Sequence, residues 1–159
     1  LAEDASIALL SDYHLTTYEK NEERRTSAIY FLTGEADILT KHSVRDVKTP
    51  LNWATFRKKD GLETAYHWQL IAYCLLYDKT LASLDYCLMP MPEEMIKEQI
   101  HKISEANYKK FVDYNHKISL MPPEKRIKTY DIAPTVIAKD IEFMNGQVWK
   151  HQFSIIQEQ

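Results

Sequence analysis

At 159 residues, with 45% hydrophobic and 27% charged side chains, the chain has the size and composition of one globular domain with a single core. Its 3 glycines and 6 prolines argue against long flexible linkers, and no apolar run reaches the length of a membrane span. The net charge of −3 excludes a general cationic field, so a nucleic-acid partner would have to meet a local basic face or metal ions that offset the acidic groups.

Two cysteines, Cys74 and Cys87, are too few for a disulfide framework or a four-thiolate iron–sulfur cluster, and they read as reduced, buried thiols. No Cys or His pair has a zinc-finger spacing. The opening Leu1-Ala2-Glu3-Asp4 lacks the basic start of a secretion signal, so the expected location is the cytoplasm. Because the chain begins with leucine, residues before it are expected to be missing.

In chain order, Ile7, Leu9 and Leu10 among small and acidic residues predict a helix over 3–14. The aromatic and β-branched run 28–33 predicts a strand. Residues 35–40 and 43–48 alternate as two strands around the polar pair Lys41-His42, and Thr49-Pro50 ends that unit. Residues 51–62 read as a polar, irregular connection. Trp68, Ile71, Ala72, Leu75 and Leu76 recur at helical spacing and predict a helix over 63–78. A strand follows over 82–90. Pro92 with Glu93 and Glu94 then starts a helix expected to run to about residue 112, with room for an interruption along it. Residues 126–132 alternate as a strand, and a last helix is expected over 134–156. The expected fold is α/β with a mixed sheet: helix, β-hairpin or meander, helix, strand, then C-terminal helices and strand. It reads as a single domain over 1–159, with its motifs in 1–90.

The chemistry concentrates on the predicted hairpin. Val44, Asp46 and Lys48 share one side of their strand. With a turn centred between Lys41 and His42, Thr40 faces Ser43 and Asp37 faces Asp46, with Cβ atoms about 4.5–5.5 Å apart. Two like charges in that relation destabilise a sheet, and either a proton or a divalent cation relieves them. Mg²⁺ takes oxygen ligands and is often held by one or two carboxylates with water and phosphate oxygens. Asp37 and Asp46 fit that donor set, and the Val47 carbonyl could add a third oxygen. Lys48 could orient or deprotonate water, or neutralise charge on a phosphate. Gln69 and Tyr73, four apart, share one helix face and offer an amide and a phenol to the same site.

The run Gly34-Glu35-Ala36-Asp37, then Asp46-Val47-Lys48-Thr49, then Gln69-Leu70-Ile71-Ala72-Tyr73 resembles the PD-(D/E)XK nuclease superfamily. The resemblance is to its lambda-exonuclease, RecB and CRISPR-associated-nuclease branch, without the iron–sulfur cluster. It covers residues 1–90, and Ala36 replaces the proline of the family name. It implies a restriction-endonuclease-like core, with Asp37 and Asp46 as metal ligands and Lys48 as the catalytic lysine. Gln69 and Tyr73 match the Gln-x-x-x-Tyr helix motif. An acid on the first helix, Glu3 or after it Asp4, matches the family's additional metal-site residue. The implied function is Mg²⁺- or Mn²⁺-dependent hydrolysis of DNA, as an exonuclease in phage-type recombination or repair. The implied partners are duplex ends or single strands of DNA and a single-strand annealing protein, in a bacterial or phage-infected cell. Some relatives form rings, so a homo-oligomer is compatible with the resemblance. The rival readings are an inactive nucleic-acid-binding module and a structural protein on the same fold.

Outside that constellation, Trp53, Phe56, Arg57, Lys58 and Lys59 form an aromatic and basic cluster. It could contact a phosphate backbone or stack on an unpaired base. His42 and His67 read as surface histidines. Lys109, Lys110, Lys125, Arg126 and Lys128 read as a solvated basic face, and the Tyr and Met residues of 86–95 as core.

Overall fold

The computed structural model describes residues 2–100 and 102–134, so the helix expected over 134–156 lies almost wholly outside the described residues. The order is α1 (Ala2–His14), β1 (Arg25–Ser27), β2 (Leu32–Gly34), β3 (Ile38–Leu39), β4 (Ser43–Lys48), α2 (Trp53–Arg57) and α3 (Thr64–Tyr77). There follow β5 (Leu81–Cys87), α4 (Glu93–Ile100), α5 (Glu105–Leu120), α6 (Pro123–Arg126) and β6 (Ile127–Ile132). The fold is mixed α/β, as expected. β1 and β2 form an antiparallel hairpin, and β3, β4, β5 and β6 lie in that order in a four-stranded sheet.

The described chain gathers into two compact units. One holds residues 2–20, 47–62 and 84–130, and the other 21–46, 63–83 and 131–134; β4, β5 and β6 each pass from one to the other.

In the second unit, the run 28–33 is not one strand. β1 ends at Ser27, residues 28–31 turn, and β2 begins at Leu32. Phe31 takes a left-handed φ of 53°, which is uncommon for a bulky residue. Apolar, β-branched composition alone could not separate a strand from a turn that exposes Ile29 and Phe31. The strand expected over 35–40 shortens to Ile38–Leu39. α3 starts and ends as its periodicity predicts, and Asp78 closes it in the left-handed conformation. Its buried face is wider than the predicted stripe. Leu70, Ile71, Tyr73, Cys74, Leu76 and Tyr77 are buried, whereas Trp68, Ala72 and Leu75 are half-buried.

In the first unit, the connection 51–62 contains a helix. Asn52 caps α2 by accepting the Thr55 N–H at 2.9 Å. Lys128 on β6 closes its other end. Its Nζ donates to the carbonyls of Phe56, Arg57 and Lys59 at 3.0, 3.1 and 3.0 Å, where a helix C-terminus favours a cation. The Tyr130 hydroxyl donates to the Lys59 carbonyl at 2.6 Å. Lys128 is therefore a brace rather than part of a solvated basic face, and Arg126 is buried with its Nε on the Leu88 carbonyl at 3.0 Å. Lys128→Met keeps the stem and removes these charge-assisted bonds. It is expected to lower stability by about 1.5–3 kcal/mol in urea titration; a change below about 0.5 kcal/mol would dismiss the brace.

The helix after Pro92 is two helices, separated before Ser104, which caps α5. Tyr86 is core, as expected, but Met89 and Met91 are only half-buried and Met95 is exposed. Cys74 and Cys87 are buried, and neither is in a disulfide. Among the described residues, no helix is long and apolar enough to cross a membrane.

Candidate functional site

The hairpin of β3 and β4 turns on Lys41 and His42, both exposed. Thr40 and Ser43 close the turn. The Thr40 N–H donates to the Ser43 carbonyl at 2.9 Å, the Ser43 N–H donates to Thr40 Oγ1 at 3.0 Å, and the two hydroxyls meet at 2.7 Å. Beyond it, Ile38 pairs with Arg45 and Leu39 with Val44. One step further, the same count sets Asp37, at the bend before β3, opposite Asp46. Directly opposed residues of an antiparallel pair point to the same side of the sheet. Asp46 is 2% exposed, because β4 is an internal strand, while Asp37 is half-buried. Within Asp46, Oδ2 is buried and accepts no hydrogen bond.

α3 brings Gln69 and Tyr73 into the same unit. Gln69 Nε2 donates to the Tyr73 hydroxyl at 2.8 Å, so the two motif residues bind each other, and the phenolic proton remains to be donated elsewhere. Tyr73 lies within the field of both acids. Burial pushes its hydroxyl up to about 12, Asp46 and then Asp37 add to the rise, and the Gln69 hydrogen bond opposes it. The ring fits against β2 because Gly34 has no side chain. A Cβ there would stand 2.8 Å from Tyr73 Cε1 and 3.2 Å from Leu76 Cδ1.

A raised phenol pKa has a signed consequence. The folded state holds its proton between the ordinary value of 10.0 and about 12, while the unfolded state loses it. The contribution is therefore complete below pH 10.0 and disappears as pH rises to about 12. Urea midpoints should fall more steeply over that window in the wild type than in Tyr73→Phe. Parallel curves would show that Tyr73 ionises as an ordinary phenol.

The remaining candidates belong to the other unit. Lys48 ends β4, half-buried, with the same side-chain parity as Asp46. Val47 is buried with the opposite parity. Glu3, on α1, makes an ion pair with Lys20 at 3.0 Å, and Asp4 is exposed. Among the described residues, no group of three or more His, Cys, Asp and Glu side chains is placed to hold a metal ion.

Trp53 and Phe56 pack ring to ring at 5.8 Å on α2, with Phe56 buried, while Arg57 and Lys58 are exposed. Lys59 is half-buried with its ammonium 5.3 Å from the Tyr86 ring centre, so the basic cluster offers two exposed cations rather than three. His67, like His42, is exposed. The sequence reading missed Tyr77, which is buried one turn beyond Tyr73. The spacing Gln69, Tyr73, Tyr77 carried that signal, since all three follow one helix face.

No protein-family model and no curated protein matches the chain. Among solved structures, it is similar to a phage-related exonuclease from Haemophilus somnus 129PT. The identity is 23% and the TM-score 0.71, with 98% of this chain and 69% of that one covered. The likeness establishes that the two share a fold.

Proposed function

We propose that the chain is a metal-dependent nuclease of the PD-(D/E)XK type that hydrolyses DNA phosphodiester bonds, acting as an exonuclease in phage-type recombination or repair. The carrying observation is the hairpin register of Ile38 with Arg45, whose count continued by one step would set Asp37 opposite Asp46, two acids that both act on Tyr73. The shared fold with a phage-related exonuclease supports the same reading.

The donor set suits Mg²⁺ or Mn²⁺. Two carboxylates supply hard oxygen ligands, and among the described residues neither Cys nor His joins them. In this reading, Asp37 and Asp46 hold the ion, with the Val47 carbonyl as a further oxygen; Glu3, paired with Lys20, is left out of the donor set. A bound ion of this kind lowers the pKa of water and offsets charge on a phosphate. Lys48 supplies the positive charge that steadies the phosphoryl oxygens and orients the attacking water. Gln69 holds the Tyr73 hydroxyl, whose high pKa keeps it protonated as a donor toward the acids or a phosphate oxygen. Arg57 and Lys58, with Trp53 and Lys59 beside them, would meet the DNA backbone or an unpaired base. The substrate would be duplex ends or single strands of DNA in a bacterial or phage-infected cell, with a single-strand annealing protein as partner.

The test is cleavage of end-labelled linear duplex and single-stranded DNA with Mg²⁺ or Mn²⁺, set against a chelated control. Release of mononucleotides from ends only with metal is expected. DNA binding without cleavage under any of these conditions would replace the nuclease by a non-catalytic binding module.

A further inference from the structure

We propose that Asn21 and Tyr77 form a polar bracket that positions Asp37 for the reaction proposed above, on which this inference rests. Asp37 lies at a bend between β2 and β3, where residues 35–37 belong to no strand. Their backbone groups must therefore find partners outside a sheet ladder. Two residues, 56 positions apart, provide them, Asn21 through its backbone and side chain and Tyr77 through its hydroxyl. The Asn21 N–H donates to the Asp37 carbonyl at 2.7 Å, and Asn21 Nδ2 donates to the Ala36 carbonyl at 2.8 Å. The Ala36 N–H reaches the Tyr77 hydroxyl at 3.4 Å, and the Gly34 carbonyl lies 3.2 Å from the same oxygen. The hydroxyl also donates to the Glu23 carbonyl, and Asn21 Nδ2 approaches it at 3.3 Å.

The two side chains are themselves fixed. Asn21 Oδ1 accepts the Glu23 N–H at 3.1 Å, and its Nδ2 reaches the Glu23 carbonyl at 3.1 Å. The buried Tyr77 ring meets Tyr73 edge to face at 6.5 Å, with the Arg25 guanidinium 5.1 Å from its centre. One oxygen thus gathers the backbone on both sides of Glu35, and Asn21 grips the carbonyls of Ala36 and Asp37, the first by its side-chain amide and the second by its backbone N–H. Where Asp37 presents its carboxylate is set by this bracket more than by the strand that follows it, which is only two residues long. Asn21 and Tyr77 are positioning residues: they act on the reaction through Asp37.

Tyr77→Phe keeps the ring against Tyr73 and Arg25 and removes only the oxygen; Asn21→Ala removes the side-chain amide at a half-buried position and leaves the backbone bond to Asp37. Both are tested in the full chain for Mn²⁺ affinity without DNA, by the free-Mn²⁺ resonance signal, and for kcat and KM on linear duplex DNA. Hydrogen exchange of the Ala36 amide is followed alongside. Each variant should bind Mn²⁺ about ten- to a hundred-fold more weakly and lose kcat by a similar factor, as loss of a ligand's orienting partner does. The KM for DNA should stay within about twofold, and the Ala36 amide should exchange faster in Tyr77→Phe. A folded Tyr77→Phe with wild-type Mn²⁺ affinity and kcat overturns the bracket. So does a variant that loses thermal stability while keeping both, because the pair would then serve the fold alone. Should Tyr77→Phe not fold, Asn21→Ala decides on the same readouts. A wild type that neither binds Mn²⁺ nor cleaves removes the nuclease reading itself, and the bracket falls with it.

Discussion

Replacing Asp46 by asparagine is expected to abolish cleavage and, without metal, to raise stability. The two effects have one cause. Asp46 is 2% exposed, and the hairpin count continued one step past the Ile38–Arg45 pair sets it opposite Asp37, which would put two carboxylates on one side of the sheet. Cross-strand like charges cost about 0.2–1 kcal/mol relative to neutral pairs, and an isosteric amide relieves that cost. The same change removes a charged ligand from the proposed ion site, and a fall in kcat of about a thousand-fold is expected from loss of such electrostatic stabilisation. Mn²⁺ should raise the unfolding temperature of the wild type and leave that of Asp46→Asn unmoved, since only a ligand that binds the folded state stabilises it. Lys48→Ala should lose about a hundred- to a thousand-fold in kcat yet keep the Mn²⁺ response. A merely structural Asp46 predicts the reverse for stability, a loss on substitution with no change in metal response. Equal cleavage by wild type and both variants would assign the activity to a contaminant.

Gly34→Ala should impair both folding and catalysis through Tyr73. None of the described glycines has a positive φ, so Gly34 is required by close approach rather than by backbone conformation. The added methyl would lie 2.8 Å from the Tyr73 ring and 3.2 Å from Leu76. Both residues are buried on α3, and the ring also packs against Tyr77, so relief requires α3 to move. Overpacking of this kind costs about 1–3 kcal/mol. Removing a glycine from the unfolded chain returns about 0.4–1 kcal/mol, too little to change the sign. Shifting α3 also carries Gln69 and Tyr73 away from the aspartates, and misplacement by about an ångström is enough for a hundred-fold loss in kcat. In a Tyr73→Ala background, the ring is gone and Gly34→Ala should cost little stability. An undiminished cost there would show that the clash lies elsewhere.

Much of this arrangement was readable from local patterns. The turn at Lys41-His42, and with it the pairing of Ile38 with Arg45 and of Leu39 with Val44, followed from alternation along two short segments. The limits of α3 followed from its periodicity. The errors were equally physical. The run 28–33 has strand composition but contains a turn that exposes Ile29 and Phe31, and composition carries no information about where a hairpin reverses. α2 escaped notice because five residues make too short a window for a helical period, although Asn52 and Thr55 stand at capping spacing. Lys128 read as a surface charge until its three carbonyl partners, about seventy residues back in the chain, were in place.

The amino-acid order by itself determined which side chains share a strand side or a helix face, because those relations repeat every two or 3.6 residues. Asp37 with Asp46, and Gln69 with Tyr73, are of that kind. Only the tertiary structure decided that Tyr73 enters the field of both acids, that Gly34 makes room for its ring, and that Asn21 and Tyr77 grip the backbone leading into Asp37. Those relations join residues tens of positions apart, through packing and hydrogen bonds that no local period encodes.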